Sequence, residues 1–185
     1  PGEQVMFLCP QGPIVIEPEP GQRAYAWFPI SGGGEIDPTA LVGARGVLEG
    51  FVDDALEHYP IDPDRLVIMG FSQGGVMAYD LALGRPDRYA ALVALSTWLP
   101  EEVLGSLQPD EARADLTTLL IHGTTDPMVA IDSGKAAFEA LKGLGIEAAW
   151  GEYEMGHEIN QNAMRDLLGW LAQEPFALSE TGGTA

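Results

Sequence analysis

The 185 residues suit one domain able to bury a sizeable core, and 46% apolar against 20% charged residues excludes a disordered chain. Nine Lys and Arg against 28 Asp and Glu leave a formal net charge of −19, which argues against nucleic-acid binding and against stable membrane anchoring through anionic lipid. With no apolar run of spanning length, no basic-then-apolar leader and Cys9 as the single cysteine, a cytoplasmic protein without disulfide or cysteine-built zinc site is expected.

In chain order, residues 5–8 read as a short apolar strand leading into the turn Cys9-Pro10-Gln11-Gly12-Pro13. Glu17-Pro18-Glu19-Pro20-Gly21 reads as surface loop. Tyr25, Trp27 and Phe28 are expected to pack on the core, with the cover of a sheet edge or a cleft wall as the other role. Asp37-Pro38 has the form of a helix cap followed by a first-turn proline, and the spacing of Leu41, Val42, Val47, Leu48, Phe51, Val52, Ala55 and Leu56 predicts a helix over residues 38–58. His58 falls in its last turn, an ordinary place for a polar residue.

Strands are predicted at 66–69, 89–95, 116–122 and 146–153, with helices over 73–83, 132–141 and 159–172. Residues 101–115 read as acidic and irregular, and Asp132 or Ser133 as a helix cap. Met164, Leu167, Leu168, Trp170 and Leu171 are predicted to face inward from the last helix. A polar tail covers 173–185, so that one domain spans 1–172. Apolar strands alternating with helices imply a mostly parallel sheet covered on both faces, whose ligands bind at the carboxyl ends of the strands.

The chemistry concentrates at Gly70-Phe71-Ser72-Gln73-Gly74, where a strand meets a helix. A serine held in a strained turn there needs neighbours without β-carbons, expected at Gly70 and Gly74. Ser72 then projects above the sheet as a nucleophile. The first helical amides, that of Gln73 included, face the same space and stabilise developing negative charge.

A serine hydroxyl needs a base, and of three histidines His157 follows the strand 146–153 at the same sheet edge. Asp126 lies in the loop after the strand 116–122, placed to fix the imidazole tautomer. His122, at the end of a buried strand, reads as a structural histidine. The order Ser72, Asp126, His157 is that of the α/β-hydrolase arrangement.

With Gly70-Phe71-Ser72-Gln73-Gly74-Gly75, His122-Gly123-Thr124-Thr125-Asp126-Pro127-Met128-Val129 and Met155-Gly156-His157-Glu158, the sequence resembles the phospholipase/carboxylesterase family of α/β-hydrolases, which also contains acyl-protein thioesterases. The resemblance implies hydrolysis of a carboxylic ester or thioester through an acyl-enzyme. It implies no cofactor and no metal, and by likeness Trp98, Met128 and Trp27 line the acyl pocket.

Members normally begin with further strands and a loop, often His-Gly, that gives a second oxyanion donor. The sequence shows no His-Gly-x-Gly before Ser72, so the expected fold is an α/β-hydrolase sheet without those N-terminal strands. That fits a fragment, a short form whose second donor comes from elsewhere, for instance Gly32-Gly33-Gly34, or a remnant of low activity. The leading expectation is a serine carboxylesterase for small to medium acyl esters. An acyl-protein thioesterase or lysophospholipase, and a non-catalytic binding or assembly module, are the alternatives. An uncovered sheet edge leads one to expect a homodimer.

Overall fold

Four of the apolar runs pair in parallel and in chain order, which places all their carboxyl ends on one edge. The computed structural model describes residues 5–29 and 36–173. Its strands are β1 (Ile14–Ile16), β2 (Ala24–Ala26), β3 (Val67–Phe71), β4 (Ala91–Leu95), β5 (Thr117–Gly123) and β6 (Ala148–Tyr153). Its helices are α1 (Pro38–His58), α2 (Gln73–Gly84), α3 (Glu101–Ser106), α4 (Ile131–Gly143) and α5 (Gln161–Gln173). The main sheet runs β3-β4-β5-β6, with Val67 opposite Ala91, Ala91 opposite Thr117 and Thr118 opposite Ala148.

Side-chain alternation along these strands divides the core in two. Leu92, Ala94 and Leu120 pack with the buried faces of α1, α2 and α4. Val93, Leu95, Leu119 and Ile121 point the other way, onto Ala163, Leu167 and Leu171 of α5. Helices therefore cover both faces, as the strand composition implies.

The helix predicted over 38–58 forms over those residues: the Asp37 carboxylate accepts the Thr39 amide at 2.9 Å, and Pro38 opens the first turn. Leu41, Ala44, Leu48 and Ala55 make its buried stripe, whereas Val42 and Val47 are exposed. His58 ends α1 on the Asp54 carbonyl at 2.7 Å.

Several expectations are corrected. Residues 5–8 form no strand, and Val5, Met6, Phe7 and Leu8 are exposed, since no neighbouring strand among the described residues offers them a ladder. The proline-rich segment is a surface loop as expected, but it is flanked by two strands that were not, β1 antiparallel to β2 with Ile14 opposite Ala26. Pro18 and Pro20 fall in the turn, where no ladder amide is needed, and Gly21 takes φ 82°.

Residues 101–115 are ordered as α3 and a short 3₁₀ helix at Glu111–Asp115, capped by Asp110 on the Ala112 amide at 3.0 Å. Helix α4 starts at Ile131 with Ala130 as its cap residue, so Asp132 stands inside the first turn, favoured by the helix dipole, and caps nothing. Helix α5 is capped by Asn160, whose side chain accepts the Ala163 amide at 2.9 Å, and it turns Met164 and Leu168 outward because the sheet meets only its 163–167–171 stripe. The glycine run at 32–34 and the tail beyond 173 lie outside the described residues. Among the described residues no helix is long and apolar enough to cross a membrane.

Candidate active site

Strand β3 ends at Phe71 and α2 begins at Gln73, so Ser72 alone makes the turn, at φ 52° and ψ −121°. This conformation is costly for any residue with a β-carbon, and it holds because the surroundings pin it. The Ser72 amide donates to the Leu95 carbonyl at 3.0 Å, and the Ser72 carbonyl accepts from the Gly75 amide at 2.9 Å and the Thr97 hydroxyl at 2.7 Å. A β-carbon at Gly70 would lie 2.0 Å from the Gly74 carbonyl oxygen. The second glycine of the motif is corrected: Gly74 has open space around it, and Gly75 is the crowded one, 2.5 Å from the Thr97 side chain. The glycine-rich pattern marks the turn without showing which glycine faces Thr97.

Gln73 opens α2, so its amide is one of those with no intrahelical partner. Its side chain does something the sequence does not announce. The carboxamide oxygen accepts the Trp27 amide at 3.0 Å, and the nitrogen donates to the Phe28 carbonyl at 3.1 Å. Trp27 is half-buried beside this bond and Phe28 fully buried.

The other two residues come from neighbouring loops. After β5, Asp126 turns its carboxylate inward: one oxygen accepts the Met128 and Val129 amides at 2.8 and 2.9 Å, the other the His157 Nδ1–H at 2.7 Å. Burial pushes the Asp126 carboxyl up, but the bonds from His157, Val129 and Met128 outweigh it and hold it below its ordinary value. The loops are zipped by Thr124 N–H to the Tyr153 carbonyl at 2.8 Å and by Thr125 Oγ1–H to the Met155 carbonyl at 3.0 Å. Gly123 permits this approach, since a β-carbon there would lie 2.3 Å from the Met155 oxygen.

The His157 ring packs against Phe71, the residue before Ser72, with centroids 4.6 Å apart. No hydrogen bond joins the Ser72 hydroxyl to that ring among the described residues. His122 is buried and donates Nε2–H to the Val129 carbonyl at 2.9 Å, which fixes the loop carrying Asp126 and leaves it a structural group. Trp98 follows Thr97 and is half-buried against the core on the α2 face, whereas Met128 is 74% exposed. Among the described residues no group of His, Cys, Asp and Glu is arranged to hold a metal ion.

A parallel sheet with a serine elbow at its carboxyl edge, and an Asp–His pair on the loops beside it, defines an α/β-hydrolase, a serine hydrolase that cleaves ester bonds. The phospholipase/carboxylesterase family model matches residues 1–174, and the chain belongs to that family. Acyl-protein thioesterase 1 of Gibberella zeae is 28% identical over 184 residues, 93% of this chain and 78% of that protein. Carboxylesterase SOBER1 of Arabidopsis thaliana is 28% identical over 183 residues, 95% of this chain and 79% of that protein. The SOBER1 crystal structure superposes with a TM-score of 0.73 at 26% identity, over 90% of this chain and 82% of its own. A carboxylesterase from Mesorhizobium loti, at 20% identity and TM-score 0.75 over 88% of this chain and 73% of its own, shares the fold.

Proposed function

We propose that this chain is a carboxylesterase for small to medium acyl esters, working through an acyl-enzyme on Ser72. The carrying observation is the 2.7 Å bond from His157 Nδ1–H to the Asp126 carboxylate. With the proton on Nδ1, Nε2 is free as a base, and Asp126 favours the imidazolium that forms. In this reading Nε2 takes the Ser72 proton as Oγ attacks the ester carbon. The Gln73 amide stabilises the oxyanion, and the same proton leaves with the alcohol. Water then repeats the sequence and frees the acid. Catalytic hydrogen bonds often close only when substrate is bound, so the missing Ser72–His157 bond is compatible with this role.

Thioester hydrolysis is the second reading, favoured by the likeness to acyl-protein thioesterase 1 of Gibberella zeae. The test is turnover of p-nitrophenyl acetate, butyrate and hexanoate, and of an acyl thioester, with fluorophosphonate labelling of the chain and of Ser72→Ala. Ester turnover and labelling that disappear in Ser72→Ala support the proposal, thioester preference would select the second reading, and a folded protein with neither turnover nor labelling would overturn both. We further propose a homodimer formed along β3, which is at the edge of the sheet among the described residues and whose Met69 and Phe71 are exposed. A monomer in sedimentation at micromolar concentration removes that proposal.

A further inference from the structure

The backbone of Val129 is held at both of its polar atoms. Its amide donates to Asp126 Oδ1 at 2.9 Å, and its carbonyl accepts from His122 Nε2 at 2.9 Å. A carbonyl only accepts, so this bond requires the His122 proton to sit on Nε2. The other Asp126 oxygen, Oδ2, stands 2.7 Å from His157 Nδ1 and 3.9 Å from His122 Nε2, too far for a hydrogen bond to the second ring. His122 therefore acts on the carboxylate through Val129. Packing fixes the ring itself, which is 1% exposed. It stacks on Trp150 of β6, with centroids 6.3 Å apart and planes at 25°, and Gly134 of α4 comes so close that a β-carbon there would lie 2.4 Å from Nδ1. Of the charged groups on these elements, Lys135 and Glu152 are paired with each other at 3.1 Å, Glu152 standing opposite His122 in the strand register.

We propose that His122 is a positioning residue for catalysis: through Val129 it holds the Asp126 carboxylate toward His157, so that the packing of α4 on β5 governs how well the base is oriented. This rests on the esterase reading above. His122 touches none of the reacting atoms. Its work is to satisfy the buried Val129 carbonyl at one position. Without that donor the carbonyl is left buried and unpaired, and the loop gains by shifting to find another partner. Such a shift carries with it the Met128 and Val129 amides on which Asp126 Oδ1 is anchored. The role needs a donor at Nε2 and not a charge.

The test compares the full chain with His122→Leu, which removes the donor, and His122→Gln, which keeps an N–H donor on a side chain that does not ionise. Two readings are taken, the pH profile of kcat/KM for p-nitrophenyl butyrate and the Nδ1–H proton resonance of His157, which reports the bond to Asp126 without turnover. In His122→Leu, kcat/KM is expected to fall about thirtyfold. The acidic limb of its profile should move to lower pH, because an imidazolium whose carboxylate has drifted forms less readily, and the His157 resonance should broaden through faster exchange. His122→Gln should recover most of the rate and the wild-type profile. Added to Asp126→Asn, His122→Leu should lower kcat/KM by less than about threefold more, since both changes act on one carboxylate. A histidine that only supports the core would lower stability in urea and leave the profile and the resonance in place, which overturns the proposal. A His122→Gln variant as slow as His122→Leu, or the full loss repeated in Asp126→Asn, overturns it too. If His122→Leu does not fold, Gly134→Ala, which drives a methyl at Nδ1, is read in its place. Imidazole ¹⁵N shifts of the wild type need no variant, and a His122 protonated at Nδ1 instead of Nε2 overturns the proposal by itself. A wild-type chain that resists fluorophosphonate brings down the esterase reading, while the His157 resonance still reports whether His122 holds Asp126.

Discussion

Ser72 occupies a backbone conformation that few residues with a β-carbon tolerate, and the contacts that enforce it are individually testable. Gly70→Ala would drive a methyl into the Gly74 carbonyl, 2.0 Å away, and backbone cannot swing aside as a side chain can. The elbow must shift, and a fall in kcat/KM of about a hundredfold is expected, read with p-nitrophenyl butyrate. Thr97 holds the Ser72 carbonyl at 2.7 Å. Thr97→Val keeps the shape without the hydroxyl and should cost about 1 kcal/mol of stability in urea titration, whereas Thr97→Ser should restore most of it. Asp126→Asn should lower kcat by about 10³–10⁴-fold by disfavouring the productive tautomer of His157. Its effect on stability depends on pH. Because folding lowers the Asp126 pKa from its ordinary 3.8, the native contribution is fully present above that value and lost as pH falls through the lower folded one. The stability gap between wild type and Asp126→Asn in urea should therefore begin to close as pH falls below about 4. The serine turn and the Asp126–His157 pair were legible because each candidate residue stands in a short, distinctive setting at a strand end. The Gln73 side-chain bonds were not, since their partners are backbone atoms distant in sequence and carry no residue-type signal.

At the scale of elements, α1 is locked to α2 by one ion pair across the core boundary. Asp80 is 1% exposed and paired through both carboxylate oxygens with Arg45, which reaches it from α1. Breaking such a pair from one side leaves a buried charge alone. Arg45→Leu should cost about 3–5 kcal/mol in chemical denaturation, and Arg45→Leu with Asp80→Asn considerably less, because the double change removes the stranded charge. The C-terminal end of α2 has its own tie, with Arg113 donating to the Leu83 carbonyl at 2.8 Å from the 3₁₀ segment. Long helices with explicit signals were readable: Asp37-Pro38 marks the start of α1, and Tyr59-Pro60 its end. Shorter elements were not. Each hairpin strand has three residues, too few for alternation to register, and α3 is a six-residue helix in an acidic stretch that reads as loop. The inward assignment of Met164 and Leu168 failed for another reason. Periodicity gives the width of an apolar stripe, but only the extent of the sheet beneath decides how much of it is covered.

Over the whole molecule, the charge balance sets a long-range repulsion that no single contact reveals. The net charge is −19 from only nine Lys and Arg, and several of those cations are already engaged: Arg45 with Asp80, Arg88 with Asp53, Arg85 with Asp87, Lys135 with Glu152 and Arg165 with Asp166. The remaining carboxylates repel one another more in the compact state than in an expanded chain. Salt shortens that repulsion, since the Debye length falls from about 30 Å at 0.01 M to about 3 Å at 1 M. Most of the ion pairs lie at the surface and lose little, because exposed pairs contribute only about 0–1 kcal/mol each to begin with. Repulsion spread over many sites is therefore screened more than attraction is lost. The melting temperature should rise by several degrees between about 20 mM and 500 mM NaCl, measured by calorimetry, and a flat or falling profile would show that local pairs outweigh the net field. The same field acts on ligands before they reach Ser72. A neutral ester such as p-nitrophenyl acetate should keep its KM across that range, while the KM of a negatively charged hemisuccinate ester should fall as salt rises.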